Sequence, residues 1–297
     1  MSYAVETKAL CKRYGEKRAV NQMSVHIKQG DIYGLIGKNG AGKTSLMKLL
    51  LGLTFPDSGS MQLFGSGDLN GERRKIGSLI EAPGLFKNES AYENMKRFSI
   101  LSGGASDGEI RQILQAVGLA DTGRKKADSF SLGMRQRLGI AVALLGKPRL
   151  LVLDEPINGL DPAGIKEIRD VILRLHQQGV TFLISSHLLD ELGKIATNYG
   201  IVSNGALVEE ITAEELKKKC ETSLVLKTDQ GSRAEKILRE AFPALRLETA
   251  GNTVSVPSAV KDASELNRIL VQAGVRVYEM KSDGVGFEEF FIERIGK

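Results

Sequence analysis

Gly37 to Thr44 reads GKNGAGKT, a full match to G-x-x-x-x-G-K-[ST]. The run follows the apolar stretch IYGLI and precedes TSLMKLLLGL, where Leu46, Leu49, Leu50 and Leu53 recur at helical spacing. A strand, a glycine-rich loop and a helix in that order make a phosphate cradle. Glycines at 37, 40 and 42 let successive backbone N–H groups turn inward around phosphate oxygens, and the helix N-terminus adds the positive end of its dipole. Asn39 and Ser45 complete the expected nucleotide-binding stretch. Lys43 supplies a point charge to the β- and γ-phosphates, and the Thr44 hydroxyl is placed to ligate Mg²⁺.

Further along, the apolar strand Leu150–Leu153 ends in Asp154-Glu155. Ligands of open α/β sheets collect at such C-terminal strand ends. Asp154 can there hold the magnesium shell and Glu155 can polarise an attacking water. No N-K-x-D guanine-selecting motif occurs, which favours adenine and makes ATP with Mg²⁺ the expected pair. At the next strand end, ISSH puts His187 where an imidazole could hydrogen-bond the γ-phosphate or the water. A fourth position is ambiguous. In SLIEAPGLFKNESAYENM, Glu81 closes a short apolar run and opens a turn-rich loop, so its carboxylate is either a solvated loop residue or a ligand at a reaction centre.

These residues need elements to hold them. The chain has 297 residues, room for one large domain or two of ordinary size. Hydrophobic content of 42% and charged content of 26% describe an ordinary globular protein. Cys11 and Cys220, without metal spacing or a disulfide framework, fit a reducing cytosol. The start MSYAVETKAL lacks the features of a signal peptide, and no run approaches the roughly 20 apolar residues of a membrane span. Any work at a membrane is therefore expected to go through another chain. The formal charge is +5, with 30 of the 41 Lys and Arg and 24 of the 36 Asp and Glu in residues 1–220. So mild an excess gives nucleic-acid binding no support.

Short apolar runs alternate with helical patterns through the first part. LLVLDEP and VTFLISSH look like buried parallel strands, with AGIKEIRDVILRLHQQG as a helix between them. The alternation predicts an α/β fold, a mostly parallel sheet with helices on its faces, and residues 84–136 read as a mainly helical arm. The last part differs. SLVLKT, AEKILREAF, LRLETA, TVSVPS, ASELNRILVQAG and VRVYEM give β-α-β-β-α-β, the order of a small ferredoxin-like domain. FEEFFIERI then places Phe287, Phe290, Phe291 and Ile295 on one face of a packing helix.

One segment narrows the class further. SFSLGMRQRLGIAVALL precedes the Asp154 strand, and Ser131-Leu132-Gly133-Met134-Arg135-Gln136-Arg137 resembles the L-S-G-G-Q signature of ATP-binding cassette (ABC) proteins. Phe130 and Met134 replace the outer letters and Leu132 the first glycine, while the serine and second glycine remain. The resemblance covers roughly positions 1–215 and implies a P-loop ABC cassette, a RecA-like core plus helical arm, with residues 221–297 as an α+β accessory domain. It implies that Tyr14 stacks on adenine and that Asp161, in NGLDP, communicates between two cassettes. It further implies that two cassettes close head-to-tail over two MgATP, so that Ser131 and Gly133 of one chain meet the γ-phosphate held by Lys43 of the other, and that the cycle drives a membrane partner at the cytoplasmic face.

In family terms Glu81 falls at the Q-loop, where most ABC proteins have Gln. The Glu form, with IEAPGLF and AYENM around it, resembles the ATPases of bacitracin-export and lantibiotic-immunity transporters. A carboxylate is a harder donor to Mg²⁺ than a neutral amide carbonyl, so Glu81 joins Thr44 and Asp154 as an expected metal-side residue and Glu155 and His187 as an expected catalytic one. The resemblance thus implies an exporter ATPase working with separate membrane subunits and a second cassette. Three alternatives stay open. A DNA-repair or chromosome ATPase would insert long coiled coils between P-loop and signature, where this chain has only residues 45–130. A translation-associated ATPase usually carries two cassettes per chain, and export of a drug, lipid or polysaccharide fits the same motifs.

Overall fold

The computed structural model describes residues 2–220, 223–243, 245, 247–257, 263–284 and 286–295. The chain divides into two compact units, Met1–Ala213 with Glu293–Lys297, and Glu214–Ile292.

The first unit begins with an antiparallel sheet. Strand β1 (Tyr3–Tyr14) pairs with β2 (Lys17–Met23), with β3 (His26–Lys28) and, along its other register, with β5 (Ser58–Leu63). Apart from the β-prone run SVHIK that holds β3, this sheet had no clear signature in the sequence. The β1 register shifts between Leu10 and Arg13, and Ala9 and Gln22 take left-handed backbone angles, so bulges break the period-2 alternation that would announce a long strand.

The second sheet positions the chemistry. Between β4 (Ile32–Ile36) and β5 lies α1 (Lys43–Leu50), and α2 (Leu69–Arg73) leads into β6 (Ile76–Leu79). After the arm come β7 (Leu150–Asp154), α6 (Pro162–Gln177), β8 (Thr181–Ser186), α7 (Leu189–Gly193), β9 (Asn198–Ser203), β10 (Ala206–Thr212) and α8 (Ala213–Lys219). The order is β10-β9-β4-β8-β7-β6, parallel except for the antiparallel edge strand β10. Every residue of β4, β7 and β8 is buried, as expected for strands covered on both faces. Helix α6 buries Ile168, Val171, Ile172 and Leu175, one stripe at helical spacing, and starts on an Asp161 cap with Pro162 in the first turn.

The arm comprises α3 (Ala91–Leu101), α4 (Asp107–Ala116) and the start of α5 (Leu132–Ala143). SAYE and SDGE spell capping boxes, and both form: Ser90 with Glu93, and Ser106 with Glu109. Arg174 and Arg137 cap the far end of α4, donating to the carbonyls of Ala116 at 2.7 Å and Gly118 at 2.8 Å.

In the second unit β11 (Ser223–Thr228), α9 (Gly231–Ala241), β12 (Glu248–Ala250), β13 (Thr253–Pro257), α10 (Ala263–Gln272) and β14 (Val277–Asp283) form one antiparallel sheet of order β12-β13-β11-β14. Strand β13 is inserted between β11 and β12, which makes the first β-α-β a split one. Ala234 and Leu238 of α9 and Leu266 and Leu270 of α10 bury against Leu226, Val254 and Val256. In α11 (Phe287–Ile295), Phe290 and Phe291 are buried and Phe287 meets Phe291 edge-on at 4.9 Å. The side chain of Ile295, and residues 221–222 and 296–297, lie outside the described residues.

Candidate functional site

Four adjacent parallel strands, β4, β8, β7 and β6, present their C-terminal ends side by side. The first releases the glycine loop. Gly42 caps α1 with φ 110° and no side-chain cap, so the N–H groups of the first helical turn are left for an anion. A Cβ at Gly42 would stand 2.2 Å from the Ala19 carbonyl, and one at Gly37 2.4 Å from that of Val202. Only glycine allows the loop to lie this close between β2 and β9. Beside it is a cleft of about 230 Å³ lined by Tyr14, Lys17, Asn39, Gly40, Lys43, Thr44, Ser45 and Glu155, among others.

Lys43 is buried, with its ammonium turned onto the Gly37 carbonyl at 2.7 Å and 3.4 Å from Glu155 Oε1. The Thr44 hydroxyl donates to Asp154 Oδ2 at 2.8 Å. Ser185 donates to Asp154 Oδ1 at 2.5 Å and accepts the Glu155 N–H at 2.8 Å. Both oxygens of Asp154 are therefore fixed by hydroxyls from the neighbouring elements. Glu155 follows in a left-handed conformation, φ 48°, which turns its side chain over the sheet edge. There its Oε2 meets His187 Nδ1 at 2.8 Å, while its buried Oε1 has no hydrogen-bond donor.

Glu81 ends β6 as Glu155 ends β7. The pairing of β6 with β7 ends at Leu79 and Leu153, Glu81 and Glu155 each follow that last pair by two residues, and Glu81 too is left-handed, φ 61°. Its carboxylate does not turn to Thr44 or Asp154, however. It is held by Lys48 of α1, which donates to Oε1 at 2.9 Å. That bond is the main cause that raises the Lys48 ammonium above its usual range, with smaller pulls from Tyr14 and Asp154.

The structure thus brings Lys43, Thr44, Asp154, Glu155 and His187 into one hydrogen-bonded and ion-paired group, with Tyr14, half exposed at the end of β1, on the wall of the cleft. Ser131, Gly133 and Asp161 are not in the lining of that cleft. Ser131 caps α5 through the Met134 N–H at 3.2 Å, and Asp161 caps α6 through the Gly164 N–H at 3.0 Å. Gly133 lies where a Cβ would come 3.7 Å from Gly164 Cα, so the two helix starts run close together. Sequence reasoning missed Ser185, Lys48 and Lys17. The hydroxyls of ISSH signalled the first. The other two are surface-type lysines that only the fold carries to the cleft.

Hard oxygen donors fit magnesium: a hydroxyl and a carboxylate oxygen 2.8 Å apart, beside open N–H groups for phosphate. Among the described residues no three His, Cys, Asp or Glu cluster as a self-sufficient metal cage. Mg²⁺ completed by substrate phosphates and water needs none.

Residues 20–158 match the family model described as ABC transporter. The chain is 40% identical to the bacitracin transport ATP-binding protein BcrA of Enterococcus faecalis, over 100% of this chain and 97% of that one. It is 45% identical to the lantibiotic transport ATP-binding protein SrtF of Streptococcus pyogenes, over 68% of this chain and 87% of that one. Among solved structures, an ATP-binding cassette of an ABC transporter in its ADP conformation superposes with a TM-score of 0.67 at 26% identity, covering 74% of this chain and 94% of that one.

Proposed function

The chain belongs to the ABC transporter family, and on that premise we propose that it hydrolyses MgATP to power export of antimicrobial peptides, of the bacitracin or lantibiotic kind, through separate membrane subunits. One observation carries the ATPase reading: a phosphate loop, an Asp-Glu pair and a histidine converge on adjacent strand ends within hydrogen-bond reach. The cargo reading rests on full-length likeness to a bacitracin transport protein.

In this reading the open N–H groups of the loop and first turn of α1 hold the phosphates, and Tyr14 offers its exposed ring to the adenine. Thr44 and Asp154 would hold Mg²⁺, which when bound neutralises charge on the phosphate oxygens. Lys43 exchanges its ion pair with Glu155 for the phosphates, and that exchange frees the carboxylate to orient and polarise the attacking water. His187 holds Glu155 through Oε2, and Ser185 fixes the backbone from which Glu155 projects. Positioning and electrostatics of this kind, with little covalent chemistry, suit phosphoryl transfer. Ser131, exposed at the start of α5, and Asp161, exposed at the start of α6, are offered to a second cassette that completes the site.

No helix among the described residues is long and apolar enough to cross a membrane, so attachment to the cytoplasmic face would go through the membrane subunits. The test is to replace the cell's own copy by Glu155→Gln. ATP hydrolysis should be lost, and the cells should become more sensitive to bacitracin or to a lantibiotic. Lost hydrolysis with unchanged sensitivity to both would move the cargo to another class, and recovery of ribosomes in place of integral membrane proteins on purification would overturn the export reading.

A further inference from the structure

Helix α1 touches the sheet edge twice through one face. Thr44 and Lys48 are four residues apart, so they lie one above the other on that face. The first turn meets the end of β7 through Thr44 and Asp154, and the next turn meets the end of β6 through Lys48 and Glu81. We propose that the Lys48 ammonium is the resident counter-ion of Glu81, and that a divalent cation held by Thr44 and Asp154 takes its place when nucleotide binds.

Two pieces of electrostatics give the direction. Lys48 already feels Asp154 as well as Glu81, so it shares the field of the carboxylate on which the metal would sit. A divalent cation there repels the ammonium and attracts the Glu81 carboxylate, and both effects oppose the pair. The pair itself is weak enough to yield. Lys48 is 36% exposed and Glu81 68%, in the range where ion pairs contribute little and break readily. Breaking it frees Glu81 at the head of the segment 82–90, which leads directly into α3 of the arm. Lys48 is in this sense a positioning residue acting through Glu81, and the pair couples metal loading to the start of the arm. The proposal rests on the MgATP reading above.

The experiment follows binding of a fluorescent ATP analogue to the full chain as free Mg²⁺ is varied, so that no turnover is needed. Lys48→Met removes the competing cation, and half-saturation should come at about two- to fivefold lower Mg²⁺, the range that an exposed pair supports. Lys48→Arg should restore the wild-type titration. In a Glu81→Gln background the Lys48→Met change should shift the titration much less, because only the direct repulsion between ammonium and metal remains once the carboxylate is gone. An unchanged titration in Lys48→Met would overturn the proposal. So would a shift of the same size in the Glu81→Gln background, which would mean that Lys48 acts on the nucleotide directly. Failure of the wild-type chain to bind the analogue, or binding indifferent to Lys43→Met, would instead sink the MgATP reading.

Discussion

Just beyond the last pair of β6 and β7 each chain segment carries the same residue type, two residues on, in the same left-handed backbone conformation, and each is ion-paired to a lysine of α1. They differ in burial and in company. The Glu155 side chain is 20% exposed and touches buried Lys43 and His187, and the Glu81 side chain is 68% exposed and touches only Lys48 among the described contacts. A sparsely populated backbone angle on a non-glycine residue persists where its surroundings hold it, and such angles cluster at functional sites. Two of them side by side, one enclosed and one open, separate two kinds of work. On the proposed reading the enclosed carboxylate is held for chemistry, and the open one is free to change partners.

The largest difference should appear in turnover. Glu155→Gln keeps the shape and loses the charge proposed to polarise water, so hydrolysis should fall by roughly 10²–10⁴-fold, the usual contribution of a positioned general base. Nucleotide affinity should stay within a few-fold, read by the same fluorescent analogue. Retained turnover would remove Glu155 from its role and erase the functional side of the contrast. Ser185→Ala comes next. It strips one hydroxyl from Asp154 and leaves the Glu155 N–H without its acceptor. The loss of a hydrogen bond to a charged group costs about 1.5–3 kcal/mol, and here it should show as slower hydrolysis together with a lower Tm.

Glycine substitution turns the contrast into a stability measurement. Glycine adopts left-handed angles without the penalty that a side chain meets there. At Glu81 little else is lost, so Glu81→Gly should leave stability unchanged or raise it by about 0.5–1 kcal/mol in urea unfolding of the isolated chain. At Glu155 the same relief is outweighed, because Lys43 stays buried without its carboxylate and His187 loses its partner. Glu155→Gly should therefore lower stability. Equal responses at the two sites would mean that their surroundings differ less than their exposure implies.

The motif residues were legible because phosphate chemistry fixes both their type and their spacing. GKNGAGKT spells a loop in which a Cβ at Gly42 or Gly37 would stand only 2.2–2.4 Å from a neighbouring backbone carbonyl, and LLVLDE spells a buried strand with its carboxylates at the end. The β-α-β-β-α-β order of residues 223–283 was legible because each strand and helix there keeps its own hydrophobic period. What lay beyond reach depends on contacts distant in sequence. The sheet around β1 is hidden by bulges, and Ser185 gains its place only when β8 comes to lie beside β7. Glu81 was readable as a site candidate, but its partner was not. Lys48 is one more helix lysine until α1 is laid against the end of β6.

The smallest effect belongs to the open carboxylate. Glu81→Gln keeps the size and the left-handed backbone, and exposed pairs of this type contribute about 0–1 kcal/mol, so folding should be untouched. Affinity for nucleotide at saturating Mg²⁺ should also hold, since on the proposed reading α1 and Lys43 hold the phosphates. What should move is the Mg²⁺ concentration needed, upward by a few-fold, because a neutral amide oxygen is a poorer donor to a hard cation than a carboxylate. Coupling of hydrolysis to export should weaken alongside, measured as transport per ATP consumed with the membrane subunits present. An unaltered Mg²⁺ requirement together with unaltered coupling would return Glu81 to a solvated loop residue paired to a lysine. The likeness between the two strand ends would then be one of backbone alone.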